Sequence, residues 1–170
     1  MNTLFSHVCV VTMDERMSVW TDAFVGVTDG KISYLSKHAP EEKPAQIIDA
    51  TGMVLMPGLI NCHTHLPMQL LRGYADDLKL QEWLNDYIFP REDRLDGRCV
   101  RAATTLAVAE CLKFGVTSVS DMYYFCDDIC DVIAKSGMKA NISRGTSMFL
   151  GDDFDFEKFP ACQELVALKN

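Results

Sequence analysis

Histidine is scarce in this sequence and absent from its later part: His7, His38, His63 and His65 are the only four, and none follows residue 65. Positive charge is short too. Sixteen Lys and Arg stand against 24 Asp and Glu, giving a formal charge of −8 and a pI near 4.9. That balance disfavours nucleic acid and anionic membranes as partners, since both select for clustered basic side chains. No apolar run approaches the roughly 20 residues of a membrane-spanning helix. The opening M-N-T-L-F-S-H-V-C-V-V lacks a basic n-region, so neither a secretion signal nor a membrane anchor is expected there. Low-complexity tracts and C-x-x-C pairs are missing as well. The seven cysteines (9, 62, 99, 111, 126, 130 and 162) are odd in number and match no disulfide framework. Reduced, half-buried thiols in a cytoplasmic protein fit them best, and they are assigned no function.

What is present reads as a globular chain, 48% hydrophobic and 24% charged, long enough at 170 residues to bury one ordinary core. Residues 3–12 alternate as a strand. Residues 23–28 and 31–36 are β-type runs flanking Asp29-Gly30, a pair suited to the positive φ angles of a two-residue hairpin turn. Residues 38–44 are polar and proline-bearing, hence a loop. Short strands follow at 46–49 and 53–56, joined through Ala50-Thr51-Gly52. Residues 1–56 therefore predict a small β-sheet or sandwich layer. His7 and His38 lie in it as surface or edge residues.

From Pro57 onward the pattern changes. A strand at 59–62 leads into a long connection, 66–95, with a short aromatic helix near 80–89. A helix follows over 96–114, with Asp96 as its N-cap and Gly115 as its stop. Ala103, Leu106, Ala107, Cys111 and Phe114 recur at helical spacing and are expected to cover a sheet. A strand at 116–120 ends at Asp121. Next comes a helix over 127–136, with Ile129, Val132 and Ile133 on one face and Gly137 as its stop. A strand at 138–143 ends at Arg144-Gly145, and a further helix is expected over 156–168, begun or interrupted near Pro160. This alternation predicts a parallel α/β arrangement with right-handed crossovers.

Residues 56–66, M-P-G-L-I-N-C-H-T-H-L, organise the rest. In an extended segment alternate side chains share a face, so His63 and His65 point one way and Cys62 and Thr64 the other. A helix would separate positions i and i+2 by about 200°. Two imidazoles on one face at the carboxyl end of a buried strand make half of a divalent-metal site. An isolated H-x-H often carries no function, and the apolar run and Pro-Gly ahead of it favour the metal.

The stretch P-G-L-I-N-C-H-T-H-L-P-M-Q-L-L-R-G, followed by L-Q-E-W-L around Glu82, resembles the amidohydrolase superfamily. Within it the similarity is to the cytosine/adenosine-deaminase-like branch, which holds methylthioadenosine/S-adenosylhomocysteine deaminases, guanine deaminases and triazine chlorohydrolases. The resemblance implies an α/β fold: the first three units of a (β/α)8 TIM barrel over 57–170, preceded by a small β-sandwich segment over 1–56. A barrel of this class needs about eight strands, so the chain reads as an N-terminal portion. His63 and His65 become ligands to one divalent metal, Zn²⁺ with Fe²⁺ as the alternative. In the family the remaining ligands and the proton-transfer residues come from later strands, so no catalytic residue is matched within this chain.

Glu82 resembles a clamp for ribose hydroxyls; the competing reading is a solvated charge on a short helix with Trp83 packed beneath it. Arg144, at the barrel rim, is expected to bind a substrate's polar tail or to pair with Asp152 or Asp153. Asp121, on the same rim, is expected to hydrogen-bond to neighbouring loops. Residues 122–125 are expected to pack beneath the rim, with pocket lining as the alternative, and the acidic 152–157 segment to be a solvated loop. The activity implied is metal-dependent hydrolytic deamination of 6-aminopurine nucleosides, with this chain inactive alone. Guanine deamination, triazine hydrolysis and a non-catalytic metal-binding remnant are the alternatives. The partner is a small molecule, and homo-oligomerisation stays open.

Overall fold

The computed structural model describes residues 1–144; the predicted helix over 156–168, the acidic 152–157 segment and Asp152 and Asp153 lie outside them. Contacts divide the chain into two units, Met1–Pro57 and Gly58–Asn170.

In the first unit β1 (Thr3–Val11) is the hub of a five-stranded mixed sheet. One edge of β1 pairs antiparallel with β2 (Val19–Thr28), which pairs antiparallel with β3 (Lys31–Ser36). The hairpin turn is Asp29-Gly30, at φ 49° and 74°, as the dipeptide predicts. The other edge of β1 takes two short parallel strands, β4 (Gln46–Asp49) and β5 (Val54–Leu55). Between them Asp49 Oδ1 accepts from Thr51 N–H at 3.0 Å and from its hydroxyl at 2.6 Å, a side-chain turn that returns the chain to the same edge. Because both strands extend one sheet, no second layer forms among the described residues of this unit. The expected sandwich segment is a single sheet. Its buried side carries Val8, Val10, Ala23, Val25 and Ala50. His7 is exposed and lies 2.7 Å from Asp22 Oδ1.

The second unit is built on a parallel sheet ordered β6 (Leu59–Thr64), β7 (Val116–Tyr123), β8 (Lys139–Arg144). Between β6 and β7 come a 3₁₀ turn (Leu66–Leu71), the helical pieces α1 (Leu80–Glu82) and α2 (Phe89–Glu92) with a π-helical stretch (Trp83–Ile88) joining them, and α3 (Gly97–Lys113). The helix α4 (Cys126–Ser136) links β7 to β8. The core gathers Val100, Ala107 and Val108 of α3, Ile129 and Ile133 of α4, Val119 and Tyr123 of β7, and Leu66 and Met138. Asp96 caps α3 by accepting from Cys99 N–H at 2.8 Å. That bond holds its carboxyl below the usual carboxylate range.

Two expectations change here. The stripe α3 buries is Val100, Ala103, Thr104, Ala107 and Val108, while Leu106 and Phe114 are exposed. At about 100° per residue Leu106 lies roughly 120° around the helix from that stripe, and Phe114 falls past the last helical residue. The strand carrying His63 is also not buried. β6 has β7 as its one neighbour among the described residues, and Leu59 and Ile60 are 52% and 68% exposed. No helix among the described residues is long and apolar enough to cross a membrane.

Candidate functional site

Two features of β6 deliver its histidines. At Gly58 an added Cβ would lie 2.2 Å from Thr117 Oγ1, so only glycine lets the strand start this close to β7. Further on, the pairing passes from Asn61↔Val119 to Thr64↔Asp121, three steps on β6 against two on β7. The extra residue is a bulge. Asn61 Oδ1 accepts from His63 N–H within it.

Beyond the bulge the rings of His63 and His65 converge, with centroids 5.0 Å apart and planes at 80°. Two imidazoles bound to one tetrahedral cation at about 2.0–2.1 Å bring their ring centres to roughly 5 Å, so the pair fits a shared ion. His65 Nδ1 lies 2.7 Å from the Met122 carbonyl. A carbonyl only accepts, so Nδ1 carries the proton and Nε2 keeps the lone pair a metal requires. Among the described residues no third His, Cys, Asp or Glu joins the pair.

Asp121 secures this segment from β7. It is 1% exposed, and its Oδ1 accepts from Leu66 N–H at 2.7 Å and from the Thr64 hydroxyl at 2.8 Å. Its Oδ2 is buried with no partner among the described residues. Burial pushes the Asp121 carboxyl up, opposed by the Leu66 and Thr64 bonds and by His65 nearby. Behind the segment, Glu110 of α3 accepts from Arg72 and from Gln69, pinning the 3₁₀ turn to the helix.

His65 lines a cleft of about 230 Å³ walled by Met68, Trp83, Leu84, Phe89 and Tyr123 among others. Tyr123 is buried, and its hydroxyl donates to Glu92 Oε1 at 2.6 Å. Burial, followed by the Glu92 carboxylate, pushes its phenol well above the ordinary tyrosine value. A larger cleft of about 760 Å³ shares Phe89, Glu92 and Tyr124 with the first. Arg144, the last residue of β8, lines this second cleft beside Asp127 and Asp128. Phe125 sits there at φ 57°, ψ 49°, a conformation bulky residues rarely adopt.

The structure thus brings His63 and His65 together, puts Arg144 in an adjoining cleft, and leaves Glu82 exposed on α1. Glu82 lines neither cleft; its neighbour Trp83 lines the one with His65. Residues 122–124 line the cleft, and Tyr123 is also buried. Glu92 and the Met122 carbonyl were not singled out from the sequence. Glu92 sits among other acidic and basic residues with no distinguishing spacing, and a backbone carbonyl leaves no residue-type signal.

The Amidohydrolase family profile matches residues 54–164. Over 142 residues the chain is 40% identical to a 5'-deoxyadenosine deaminase of Methanosarcina acetivorans, covering 84% of this chain and 33% of that one. It is 39% identical to a 5-methylthioadenosine/S-adenosylhomocysteine deaminase of Pelotomaculum thermopropionicum, covering 85% and 34%. A crystal structure of an adenosine deaminase from Xanthomonas campestris with bound zinc superposes with a TM-score of 0.74 at 36% identity, covering 82% of this chain and 33% of that one. The chain spans about a third of the length of the curated relatives it matches.

Proposed function

The chain belongs to the amidohydrolase family, and from that premise we propose that it is the N-terminal part of a metal-dependent hydrolase that deaminates 6-aminopurine nucleosides in the cytoplasm. Its parallel unit is then the opening of a (β/α)8 barrel. The observation carrying the reading is the convergence of His63 and His65, with His65 turned by Met122 so that Nε2 is the nitrogen on offer. These two residues hold one divalent cation, Zn²⁺ ahead of Fe²⁺, because imidazole suits both and the related adenosine deaminase structure carries zinc. The cation supplies a Lewis-acid centre that makes water nucleophilic near neutral pH. Trp83 and Phe89 give the cleft beside His65 flat aromatic walls that suit a purine, and Leu84 adds apolar surface beside them. Arg144, in the adjoining cleft, takes the polar 5′ substituent. Glu82 receives the ribose hydroxyls through two charge-assisted hydrogen bonds. It reaches them only if α1 and the π-helical stretch shift toward the Trp83 cleft, since Glu82 lines neither cavity as it stands.

The test uses the longest open reading frame carrying this sequence, assayed for ammonia release from 5'-deoxyadenosine, methylthioadenosine and guanine. Nucleoside deamination is expected, with bound zinc lost in both His63→Ala and His65→Ala. Glu82→Gln is expected to raise KM for the nucleosides about tenfold, the scale of one hydrogen bond to a charged group. Zinc retained in both histidine variants removes the metal assignment. Ammonia from guanine with the nucleosides inert replaces the nucleoside reading with the free-base one.

A further inference from the structure

We propose that Asp121 is the positioning residue of the histidine pair, fixing through Thr64 and Leu66 the one tautomer of His65 that leaves Nε2 open to a cation. The proposal rests on the reading of His63 and His65 as metal ligands. Three consecutive residues of β7 grip three consecutive residues running from the last residue of β6 into the 3₁₀ turn. Ser120 O accepts from the Thr64 hydroxyl at 3.1 Å, and Asp121 Oδ1 accepts from the same hydroxyl and from Leu66 N–H. The Met122 carbonyl accepts from His65 Nδ1–H. His65 therefore sits between two residues tied to one carboxylate oxygen, and its ring faces the carbonyl that follows that carboxylate in the chain.

The grip is needed because regular pairing is weak at this point. The bulge breaks the β6–β7 ladder between Asn61 and Thr64, and β6 has no neighbour on its other side among the described residues. A bulge leaves its extra residue unpaired and the ladder locally disrupted. Just past it, Asp121 Oδ1 ties the chain to β7 again through the Thr64 hydroxyl and Leu66 N–H. If His65 turned, its proton would settle on either nitrogen, and the Nε2–H form has no lone pair at Nε2, the nitrogen turned away from Met122. Groups that hold a ligating imidazole in one tautomer typically account for about 10–100-fold in metal affinity.

A purely structural aspartate would stabilise the fold without choosing a tautomer, and ring NMR separates the two roles. In the ¹⁵N-labelled 170-residue chain, long-range ¹H–¹⁵N correlations are expected to show His65 wholly as the Nδ1–H form. Asp121→Ala is expected to produce a mixture of the two forms. Asp121→Asn, which keeps an acceptor oxygen and drops the charge, is expected to restore the single form. In a Zn²⁺ titration followed on the His63 and His65 ring signals, apparent affinity is expected to fall roughly tenfold in Asp121→Ala and less than threefold in Asp121→Asn. An unchanged His65 tautomer in folded Asp121→Ala overturns the proposal. Should that variant not fold, Thr64→Val decides, since it removes one of the two donors and leaves the carboxylate: a mixed tautomer supports the proposal and a single one overturns it. The metal reading is decided separately, by the zinc content of the longest open reading frame carrying this sequence; if it fails there, the tautomer comparison still decides the role of Asp121.

Discussion

At the scale of single residues, the cleft beside His65 is walled in part by a phenol bonded to a carboxylate. Tyr123 donates to Glu92 from a position 4% exposed. Both burial and the adjacent negative charge disfavour the phenolate, so the folded-state pKa lies above the ordinary value of about 10. A group whose pKa is raised on folding contributes stability fully below its unfolded pKa and loses that contribution as pH climbs toward the folded value. Tyr123→Phe is therefore expected to destabilise the chain by about 1.5 kcal/mol at pH 7, the low end for a bond to a charged group because Glu92 is only partly buried and regains water. The gap between the two proteins should hold constant to about pH 10 and narrow above it. Urea unfolding at pH 7, 9 and 10.5 checks this, and a gap that widens with pH contradicts it. The convergence of the His63 and His65 rings is legible in the sequence because the two residues are two apart and an extended backbone relates them. Asp121 was placed on the rim as a hydrogen-bonding residue, but its hold on Thr64 and Leu66 spans 57 and 55 residues. No local pattern encodes a contact of that range.

At the scale of elements, the cues that act within a few residues carried through. Asp29-Gly30 makes the hairpin turn, Asp96 caps α3, and α3 and α4 stop at Gly115 and Gly137. Each depends on backbone angles or on a hydrogen bond three residues away, so the sequence determines it without a tertiary partner. Which face of α3 turns inward depends on that partner. Leu106 was grouped with the core on spacing, whereas the structure buries Thr104 completely and leaves Leu106 54% exposed. The distinction is measurable. Ile129, 0% exposed in α4 and packed in the central cluster, should cost about 2–5 kcal/mol on truncation to Ala. Leu106→Ala should change stability by no more than about 0.5 kcal/mol. Denaturant midpoints for the two variants test this, and a comparable loss for Leu106 would restore it to the core. The aromatic helix expected near 80–89 is present as α1, the π-helical stretch Trp83–Ile88 and α2, and only the wider π turn, which carries no composition signal, lies outside what the sequence shows.

At the scale of the whole molecule, the parallel order β6-β7-β8 follows the sequence order that alternating strands and helices predict. The two outer strands differ from the interior strands such sheets usually have. All-parallel sheets normally bury their strands on both faces, but among the described residues β6 and β8 each pair on one side alone, and Leu59 and Ile60 are exposed. An apolar strand with unpaired N–H and C=O groups along one edge is a template for pairing with another chain. The 170-residue chain is accordingly expected to associate as its concentration rises, through β6 before β8, because β8 presents Lys139 and Asn141 where β6 presents Leu59 and Ile60. Ile60→Lys adds a charge on that edge strand without touching His63, His65 or the Asp121 bonds. It should return the chain to monomer, as read by sedimentation velocity across a concentration series, and leave the His65 ring signals unmoved. Association that persists in Ile60→Lys would mean that β6 is not the contact. Amide exchange then locates the alternative, since the strand that pairs gains protection on association while the unpaired edge continues to exchange quickly.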